Sequence, residues 1–470
     1  MNSVALKRDR TRTDKFSRPA PFDARVASRL VKDHVWPIAG AFAILIIGLA
    51  FSFEWDPLVQ HLNEWITPAD LWATFRDAHY VGWGSEEEIY SAHTGLVTFP
   101  GIAVLLTPLA MLQNPLHLSS SIPWYLVRPT MWYLLGPVDL LLGGFLLFPL
   151  DALAKYFHSS TRRRGVLVSI EALLILPVVA YWGHPEDTVA VGLALYGVLA
   201  TFHGKWLRAG FLLGLAVAFQ PLVLLVLPIA FALTPLRYWP PVISEVVLPS
   251  AMLLLAPLIR DWGPTTSALL KQPNEPSLDH PTPWLALAPR LPVEHYASNF
   301  SVQQTPLLGG GGAVIQHNTG EGAIHLVAAG PQRALALLVA VAIGGLLLRR
   351  RPNVLLAVWW IAVALSLRCV FESVMTPYYL LPALVVALLV AFQQVWWRTA
   401  FAVLFALFSS VVSYLYMGEW AYYVLVIGSL LVTLALSYPN ERVAAATSLT
   451  VPFRTKALEP PDSRTEARRP

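Results

Sequence analysis

Thirteen apolar runs, separated by polar turns and loops, make up most of this sequence. The first extends from Trp36 to Phe53, and the others lie at about 97–112, 131–151, 165–182, 187–203, 208–219, 221–235, 242–260, 333–349, 353–370, 378–396, 399–417 and 420–437. Such runs are typical of membrane helices, because a helix needs roughly 20 apolar residues to cross the hydrocarbon core. In agreement, 56% of the 470 residues are hydrophobic and only 13% are charged. The pattern predicts an all-α polytopic membrane protein with about 12 or 13 transmembrane segments.

Basic residues indicate which ends of the runs face the cytoplasm. They cluster at Arg162–Arg164, Lys205 with Arg208, Arg237, Arg349–Arg351 and Arg398. Because the basic residues fall beside the runs, the net charge of +4 does not indicate nucleic-acid binding. The clusters all reach the cytoplasmic side only if one early segment fails to cross. We expect this of 97–112, which is short and contains Pro100 and Pro108.

Polar stretches divide the chain into five regions. We predict a disordered basic cytoplasmic tail at 1–35, a first membrane module at 36–260 that includes an outer loop at 54–96, a second outer loop at 261–332, a second membrane module at 333–440 and a disordered cytoplasmic tail at 441–470. The loop at 261–332 is rich in proline and contains four consecutive glycines at 309–312. We therefore expect it to form an irregular cover and not a helical domain.

The outer loop at 54–96 contains the start of a juxtamembrane amphipathic helix. Thr67 is suited to the N-cap, Pro68 to the first helical position, and Asp70 follows three residues after the cap. A turn of about 100° per residue places Asp70, Thr74 and Asp77 on one side and Leu71, Phe75 and Ala78 on the other. We predict that this helix lies along the bilayer surface with its carboxylates towards water or a cleft.

Asp70 has two compatible interpretations. As part of a capping box it would stabilise the helix by about 1 kcal/mol and need take no part in any chemistry. As a general base it would take a proton from a sugar hydroxyl at the boundary between membrane and water. A helix start serves both purposes, because it fixes the direction of the carboxylate.

A second polar group, predicted on the same outer face, consists of His184, Glu186 and Asp187 at the mouth of an apolar run. The two acids suit a helix N-terminus, where they favour the helix dipole. With the histidine they could instead contact a ligand. They could also coordinate a divalent metal, but their spacing specifies none.

Further polar residues of the outer face lie at the ends of later runs. Gln220 stands at a junction between two segments that are too short to cross alone. Arg368 and Glu372, four residues apart, form either a helix-edge ion pair or, through the guanidinium, a phosphate site. Tyr378 is suited to anchoring at the interface. In the loop at 261–332, the pair Asp279–His280 is either a solvated turn or a ligand contact.

The sequence lacks the motifs of nucleotide-driven and thiol chemistry. No glycine-rich phosphate loop, Gly-x-Ser-x-Gly elbow or Cys-x-x-Cys pair occurs. The single cysteine, Cys369, excludes an internal disulfide. No cofactor is specified by these patterns.

Two stretches together resemble a known family. The first comprises Asp70-Leu71, Ala78, Gly82 or Gly84, Tyr90 and Phe99-Pro100. The second comprises Gly183-His184-Pro185-Glu186, the basic turn from Lys205 to Arg208, the stretch from Gly210 to Ala216, and Gln220-Pro221. The pattern resembles integral-membrane glycosyltransferases of the GT-C class, above all the bacterial mannosyltransferases that use polyprenyl-phosphate mannose. It departs from them at the entry Phe99-Pro100-Gly101, where the family has Tyr-Pro-Pro, at the turn His184–Asp187, where it has Gln-x-Asn, and at Gln220, where it has a lysine.

The resemblance implies a GT-C-like helical bundle in a bacterial cytoplasmic membrane, with its active side extracytoplasmic. It implies inverting transfer of mannose or a similar sugar from a polyprenyl-phosphate donor to a glycan or glycolipid acceptor of the cell envelope. Asp70 would be the base, with Asp56 as the alternative, and His184 or Arg368 would steady the leaving phosphate. Glu186, Asp187, Gln220, Glu372 and Tyr378 would complete the substrate site.

Two other functions remain open at this point. The substitution of Gln220 for the family's lysine also fits a catalytically silent relative that acts in envelope assembly. A transporter of lipids or small molecules would instead require paired broken helices in two repeated halves. No such repeat is evident in the sequence.

Overall fold

The predicted apolar runs coincide with helical structure. The computed structural model describes residues 33–54, 68–90, 99–120, 129–271, 282, 290–292, 312–315, 323–328, 332–350, 352–372, 374–415, 417 and 419–440. The predictions for Asp56, for Thr67, for Asp279–His280 and for most of the two tails therefore lie outside the described residues. The described residues from Trp36 onward belong to one compact unit.

Eleven α-helices lie in the described residues of the first half. They are α1 Val35–Glu54, α2 Ala69–Gly82, α3 Gly101–Leu112, α4 Trp132–Gly144, α5 Leu147–Tyr156, α6 Thr161–Pro177, α7 Pro185–Phe202, α8 Trp206–Phe219, α9 Leu227–Leu233, α10 Trp239–Arg260 and α11 Trp262–Lys271. A π-helical turn, Val178–Trp182, extends α6, and 3₁₀ turns occupy Glu86–Glu88, Pro221–Leu225 and Leu236–Tyr238.

The second half contains longer loops between its first elements. Its helices are α12 Gln332–Arg350, α13 Val354–Phe371, α14 Leu381–Ala391, α15 Trp396–Val412 and α16 Glu419–Ser437, with a 3₁₀ turn at Pro377–Leu380. Three short strands, β1 Arg290–Pro292, β2 Gly312–Ile315 and β3 Ala323–Ala328, form an antiparallel sheet in the order β1-β3-β2. The expectation of an irregular loop at 261–332 is therefore wrong for its described parts, which contain α11 and this sheet.

Among the described residues, five continuous helical stretches are long and apolar enough to cross a membrane. They are Trp132–Tyr156, Thr161–Trp182, Leu236–Arg260, Val354–Phe371 and Trp420–Ser437. Shorter apolar helices lie at Val35–Ala50, Gly101–Leu112, Trp206–Phe219, Pro377–Ala391 and Trp396–Val412. These helices make the chain a helical protein suited to a multi-pass membrane location, and the number of full crossings stays a prediction.

Two of the segments that the sequence analysis predicted to be too short to cross contain short helices, and whether they cross stays a prediction. Helix α3 has 12 residues, which rise about 18 Å and fall short of a hydrocarbon core of about 30 Å. Helix α8 ends at Phe219, and Gln220 is extended, with φ −150° and ψ 120°, before the 3₁₀ turn begins. The missing amide hydrogen of Pro221 explains why the α-helix does not continue.

The centre of the bundle consists of α7 and α14. All residues of α14 are buried, as are most of α7, including Glu186 and Asp187 in its first turn. Both helices begin at the same end of the bundle, because His184 stacks on Tyr378 there. Polar residues that precede these two helices are thus brought together at one end of the core.

Basic residues gather at the opposite ends of the same helices. Arg163, at the start of α6, donates to the carbonyl of Phe392 just after α14 at 3.1 Å. Arg398, at the start of α15, donates to Asn440 at 2.7 Å and to the carbonyl of Tyr438 at 2.9 Å, both after α16. We call this the basic end. Its location on the cytoplasmic side stays a prediction.

Candidate functional site

The polar cluster at the start of α7 combines residues from distant parts of the chain. It consists of Asp70, His184, Glu186, Asp187, Gln220, Arg333, Arg368, Glu372 and Tyr378, which are linked by the contacts described below. All the candidate site residues inside the described chain are therefore brought together. Arg333 is the one member that the sequence analysis did not single out.

Gly183 allows α2 to approach the cluster. Its φ of +70° is in the left-handed region, which glycine tolerates best. A Cβ atom at this position would lie 2.5 Å from the Cβ of Pro68 and 2.7 Å from that of Leu71. Any side chain here would push the start of α2 away, and with it Asp70. The π-helical turn that precedes Gly183 is a feature often found at functional sites.

His184 bridges two carboxylates. Its Nε2 lies 2.7 Å from Oδ2 of Asp70, and its Nδ1 lies 2.5 Å from Oε1 of Glu186. The side chain of Asp70 is 55% exposed, whereas those of His184 and Glu186 are buried. His184 thus connects an accessible carboxylate with one inside the protein.

The charges of this triad follow from its contacts. Burial alone lowers the pKa of His184, but the carboxylates of Glu186, Asp70 and Asp187 outweigh it and raise the pKa to about 10. The imidazole is therefore protonated at neutral pH, and both nitrogens donate. Burial raises the pKa of Asp70, but its hydrogen bond to His184 and the imidazolium charge lower it overall. Asp70 is thus an ionised carboxylate held in one direction.

Two guanidinium groups surround the other half of the cluster. Arg368 donates through Nε to Oε1 of Glu372 at 3.1 Å, and Arg333 donates to the same oxygen at 3.3 Å. The predicted ion pair of Arg368 with Glu372 is therefore present. Burial raises the pKa of Glu372, but the charges of Arg333 and Arg368 outweigh it and lower the pKa.

Asp187 joins the two halves. Its Oδ1 accepts a hydrogen bond from Nε2 of Gln220 at 2.9 Å and lies 4.0 Å from the NH1 nitrogen of Arg368. That nitrogen is buried and has no hydrogen-bond partner within the described chain. Oδ2 of Asp187 and Oε2 of Glu186 are also buried and have no hydrogen-bond partner among the described residues. Buried polar atoms without hydrogen-bond partners are uncommon in proteins, and a functional site is one of the places where they occur.

Aromatic rings cover the cluster on one side. The ring of His184 stacks on Tyr378 with a centroid distance of 3.8 Å and an interplanar angle of 24°. The guanidinium carbon of Arg368 lies 3.3 Å from the ring centroid of Tyr379. Tyr378 therefore contacts the cluster directly, beyond the anchoring role predicted for it.

Asp139 is a further acidic residue beside the cluster. It lies in α4, is fully buried, and neither of its carboxylate oxygens has a hydrogen-bond partner among the described residues. It lies close enough to Glu186 and His184 to interact with them electrostatically. An acid within an apolar run is itself a functional signal, and this rule would have found Asp139 in the sequence.

Helix α2 differs from its prediction in two respects. It begins at Ala69, with Pro68 at the N-cap position and no side-chain cap hydrogen bond. Asp77 was expected to face water or a cleft with Asp70, but it is fully buried, as are Leu71 and Phe75. The expectation is wrong for Asp77, which lies close enough to Tyr90 in the following segment for the two groups to interact electrostatically.

A divalent metal at the polar cluster stays a prediction. Both ring nitrogens of His184 are already bonded to carboxylates, so neither offers a lone pair. Within the ranges that the structure describes, no group of three or more His, Cys, Asp or Glu residues has the arrangement of a metal site.

Comparison with known proteins adds no assignment. No protein-family model matches the sequence, and no curated protein matches it. The arrangement of the polar cluster is therefore the basis for any functional conclusion.

Proposed function

We propose that this protein is a membrane glycosyltransferase that moves mannose or a similar sugar from a polyprenyl-phosphate donor to an acceptor hydroxyl. One observation carries the proposal. The partly exposed carboxylate of Asp70 is held by the buried imidazolium of His184 in a cluster that also contains Arg368 and Gln220. This supplies an oriented base beside cationic groups at one end of a membrane-type helical bundle.

Asp70 is suited to the role of general base. It is ionised and accessible, and its hydrogen bond with His184 fixes its direction. In the proposed reaction, an acceptor hydroxyl gives its proton to Asp70 while its oxygen attacks the anomeric carbon of the donor sugar. The bond from that carbon to the phosphate oxygen breaks, and the phosphate leaves with the electron pair. Attack from the face opposite the phosphate inverts the anomeric centre.

Arg368 and His184 are suited to the leaving phosphate. NH1 of Arg368 is an unused donor, and a guanidinium can hold two phosphate oxygens at once. His184 carries a second positive charge in the same cluster. Gln220, where the resembled family has a lysine, bonds to Asp187. The cation that a lysine would provide is in this proposal supplied by Arg368.

A lipid-linked donor is proposed because of where the polar cluster lies. It lies at the ends of helices that are apolar enough for a bilayer, so a donor anchored by a polyprenyl chain would bring its phosphate to the same depth. The outer face of a bacterial cytoplasmic membrane and a glycan or glycolipid acceptor of the cell envelope are parts of the same proposal.

The test compares sugar transfer by the wild-type protein and by Asp70→Asn. Membranes containing each protein are incubated with radiolabelled polyprenyl-phosphate sugars, and labelled product is counted. We expect Asp70→Asn to lose about 10²- to 10⁴-fold in rate, the usual contribution of a general base. Asp56→Asn, measured in parallel, distinguishes the alternative base.

Glu87→Gln provides the matched control. Glu87 is an acid near the end of the same loop, but it pairs with Arg260, outside the polar cluster. Its removal should leave transfer unchanged. Normal transfer by both Asp70→Asn and Asp56→Asn, or no transfer by a folded wild-type protein from any lipid-linked sugar, would contradict the proposal, and the second outcome would favour the catalytically silent relative.

A further inference from the structure

A continuous series of aromatic rings leads from the polar cluster to the protein surface. Tyr378, which stacks on His184, has its ring centroid 5.5 Å from that of Trp182. Trp182 in turn lies 6.5 Å from Tyr414, and Tyr414 lies 5.9 Å from Tyr181. The outer members are accessible, with Tyr181 43% and Tyr414 38% exposed. We call Tyr181, Trp182, Tyr378 and Tyr414 the aromatic platform.

The platform is held in place by contacts between distant segments. The indole nitrogen of Trp182 donates to the hydroxyl of Tyr414 at 3.2 Å. Tyr181 and Trp182 both belong to the π-helical turn that ends at Gly183, so the turn that positions His184 also presents these two rings. Tyr181 meets Tyr414 edge to face, at 78°. The rings are thus ordered before any ligand arrives, which reduces the entropy lost on binding.

The platform differs from the isolated aromatic side chains of a membrane interface. Trp396, at the start of α15, is 77% exposed and lies at the basic end of the bundle. A residue of this kind is suited to anchoring among lipid headgroups. Trp182 is instead partly buried among other rings, and its polar edge is already bonded to Tyr414. Anchoring alone does not require a series of rings that continues to the candidate base.

We propose that the aromatic platform is a carbohydrate subsite that binds a neutral sugar ring of the acceptor. Sugar rings have apolar faces formed by C–H groups, and these pack on aromatic faces. The hydroxyl of Tyr414 accepts from Trp182 and keeps its own hydrogen to donate to a sugar hydroxyl.

The outer rings of the platform, Tyr181 and Tyr414, offer apolar faces and hydroxyl groups, which suit a neutral sugar. The cations His184 and Arg368 lie at its inner end, beside Tyr378, where the donor phosphate is proposed to bind. This inference rests on the proposed function, because it identifies where the acceptor lies before its hydroxyl reaches Asp70.

The experiment measures binding and does not require transfer. Full-length protein is placed in nanodiscs, and saturation-transfer NMR records contact with methyl α-mannopyranoside and with methyl α-glucopyranoside. We expect saturation of the ring C–H hydrogens with wild type. The affinity should fall about threefold to tenfold in Tyr181→Ala and in Tyr414→Ala, the effect of losing one aromatic contact. Trp396→Ala should bind as wild type does.

Further variants distinguish loss of a ring contact from a folding defect, and failure of the subsite from failure of the proposed function. Tyr181→Phe keeps the ring and should retain most of the binding, so it shows whether a loss in Tyr181→Ala reflects the contact or a folding defect. Glu87→Gln, which lies outside the polar cluster, should bind the sugars as wild type does. Because the experiment records binding and not transfer, a failure of the proposed function leaves this measurement intact. The subsite is overturned if neither sugar receives saturation from the wild type, or if Tyr181→Ala and Tyr414→Ala bind as Trp396→Ala does.

Discussion

Two buried aspartates on one span, Asp139 and Asp151, have opposite surroundings. Both lie within the stretch Trp132–Tyr156, and both are almost completely buried. Asp151 receives two hydrogen bonds from Arg164, from Nε at 2.7 Å and from NH2 at 2.5 Å. Asp139 has no hydrogen-bond partner among the described residues and lies beside Glu186 and His184.

The difference indicates what each carboxyl group does. A two-point Arg–carboxylate pair satisfies both charges and ties α5 to the start of α6 at the basic end. A buried acid without a partner costs stability. Such an acid persists where function requires it, and intramembrane acids are usually functional. Asp151 is therefore structural, and Asp139 belongs with the candidate site.

The largest expected effect comes from breaking the satisfied pair. Arg164→Met leaves the carboxyl of Asp151 buried and unpaired, which should lower the free energy of unfolding by about 3–5 kcal/mol. Denaturant unfolding in detergent micelles measures the loss. The double variant Arg164→Met/Asp151→Leu removes both charges and should recover most of it. Equal stability of the single and double variants would show that the unpaired carboxyl of Asp151 does not cause the loss.

The reverse result is expected at Asp139. Asp139→Leu removes an unsatisfied acid and should raise the free energy of unfolding by about 1–3 kcal/mol. The same variant should transfer sugar more slowly than wild type, because the carboxyl group beside Glu186 and His184 is lost. Gain of stability with loss of activity is the expected signature of a functional polar group. A variant that is less stable than wild type would contradict the contrast with Asp151.

The helices were predictable because they depend on local patterns. Each apolar run coincides with a helical segment, and the interruption at Gln220 follows from the proline beside it. The convergence of Asp70, His184 and Arg368 on one end could also be anticipated, because basic clusters fix the direction of successive helices. The pairing of Arg368 with Glu372 needed only their spacing of four residues.

The unpredicted features depend on contacts between distant segments. A helical wheel places Asp77 beside Asp70 but cannot show that the segment containing Tyr90 lies close to it. The role of Arg333 depends on α12 beginning next to Glu372. The sheet in the loop at 261–332 pairs residues far apart in a stretch whose prolines and glycines suggested irregular structure.

The protonation of His184 should make the stability of the protein depend on pH. His184 has a pKa of about 10 in the folded protein and 6.5 as its usual value, so between these values the folded state holds a proton that the unfolded state lacks. The contribution of His184 to the free energy of unfolding is fully present below pH 6.5 and is lost as the pH rises through 10. One such proton makes stability fall by up to about 1.4 kcal/mol for each pH unit. Unfolding of wild type and His184→Gln between pH 7 and pH 10 measures this slope, which should be clearly smaller in the variant. Parallel pH profiles would show that His184 is not held as an imidazolium.

The smallest effect is expected for an ion pair at the surface. Arg260 and Glu87 are joined at 2.7 Å, about as close as Arg164 and Asp151, but their side chains are 65% and 20% exposed, against 12% and 2% for the buried pair. Water screens the exposed charges and solvates each of them when its partner is lost, so Arg260→Gln should lower the free energy of unfolding far less than Arg164→Met does. The same unfolding measurement, repeated at low and high salt, should show this small difference shrinking further, whereas the loss in Arg164→Met should persist. A cost for Arg260→Gln as large as that for Arg164→Met would mean that burial is not what separates the two pairs, and the distinction drawn between Asp151 and Asp139 would lose its physical basis.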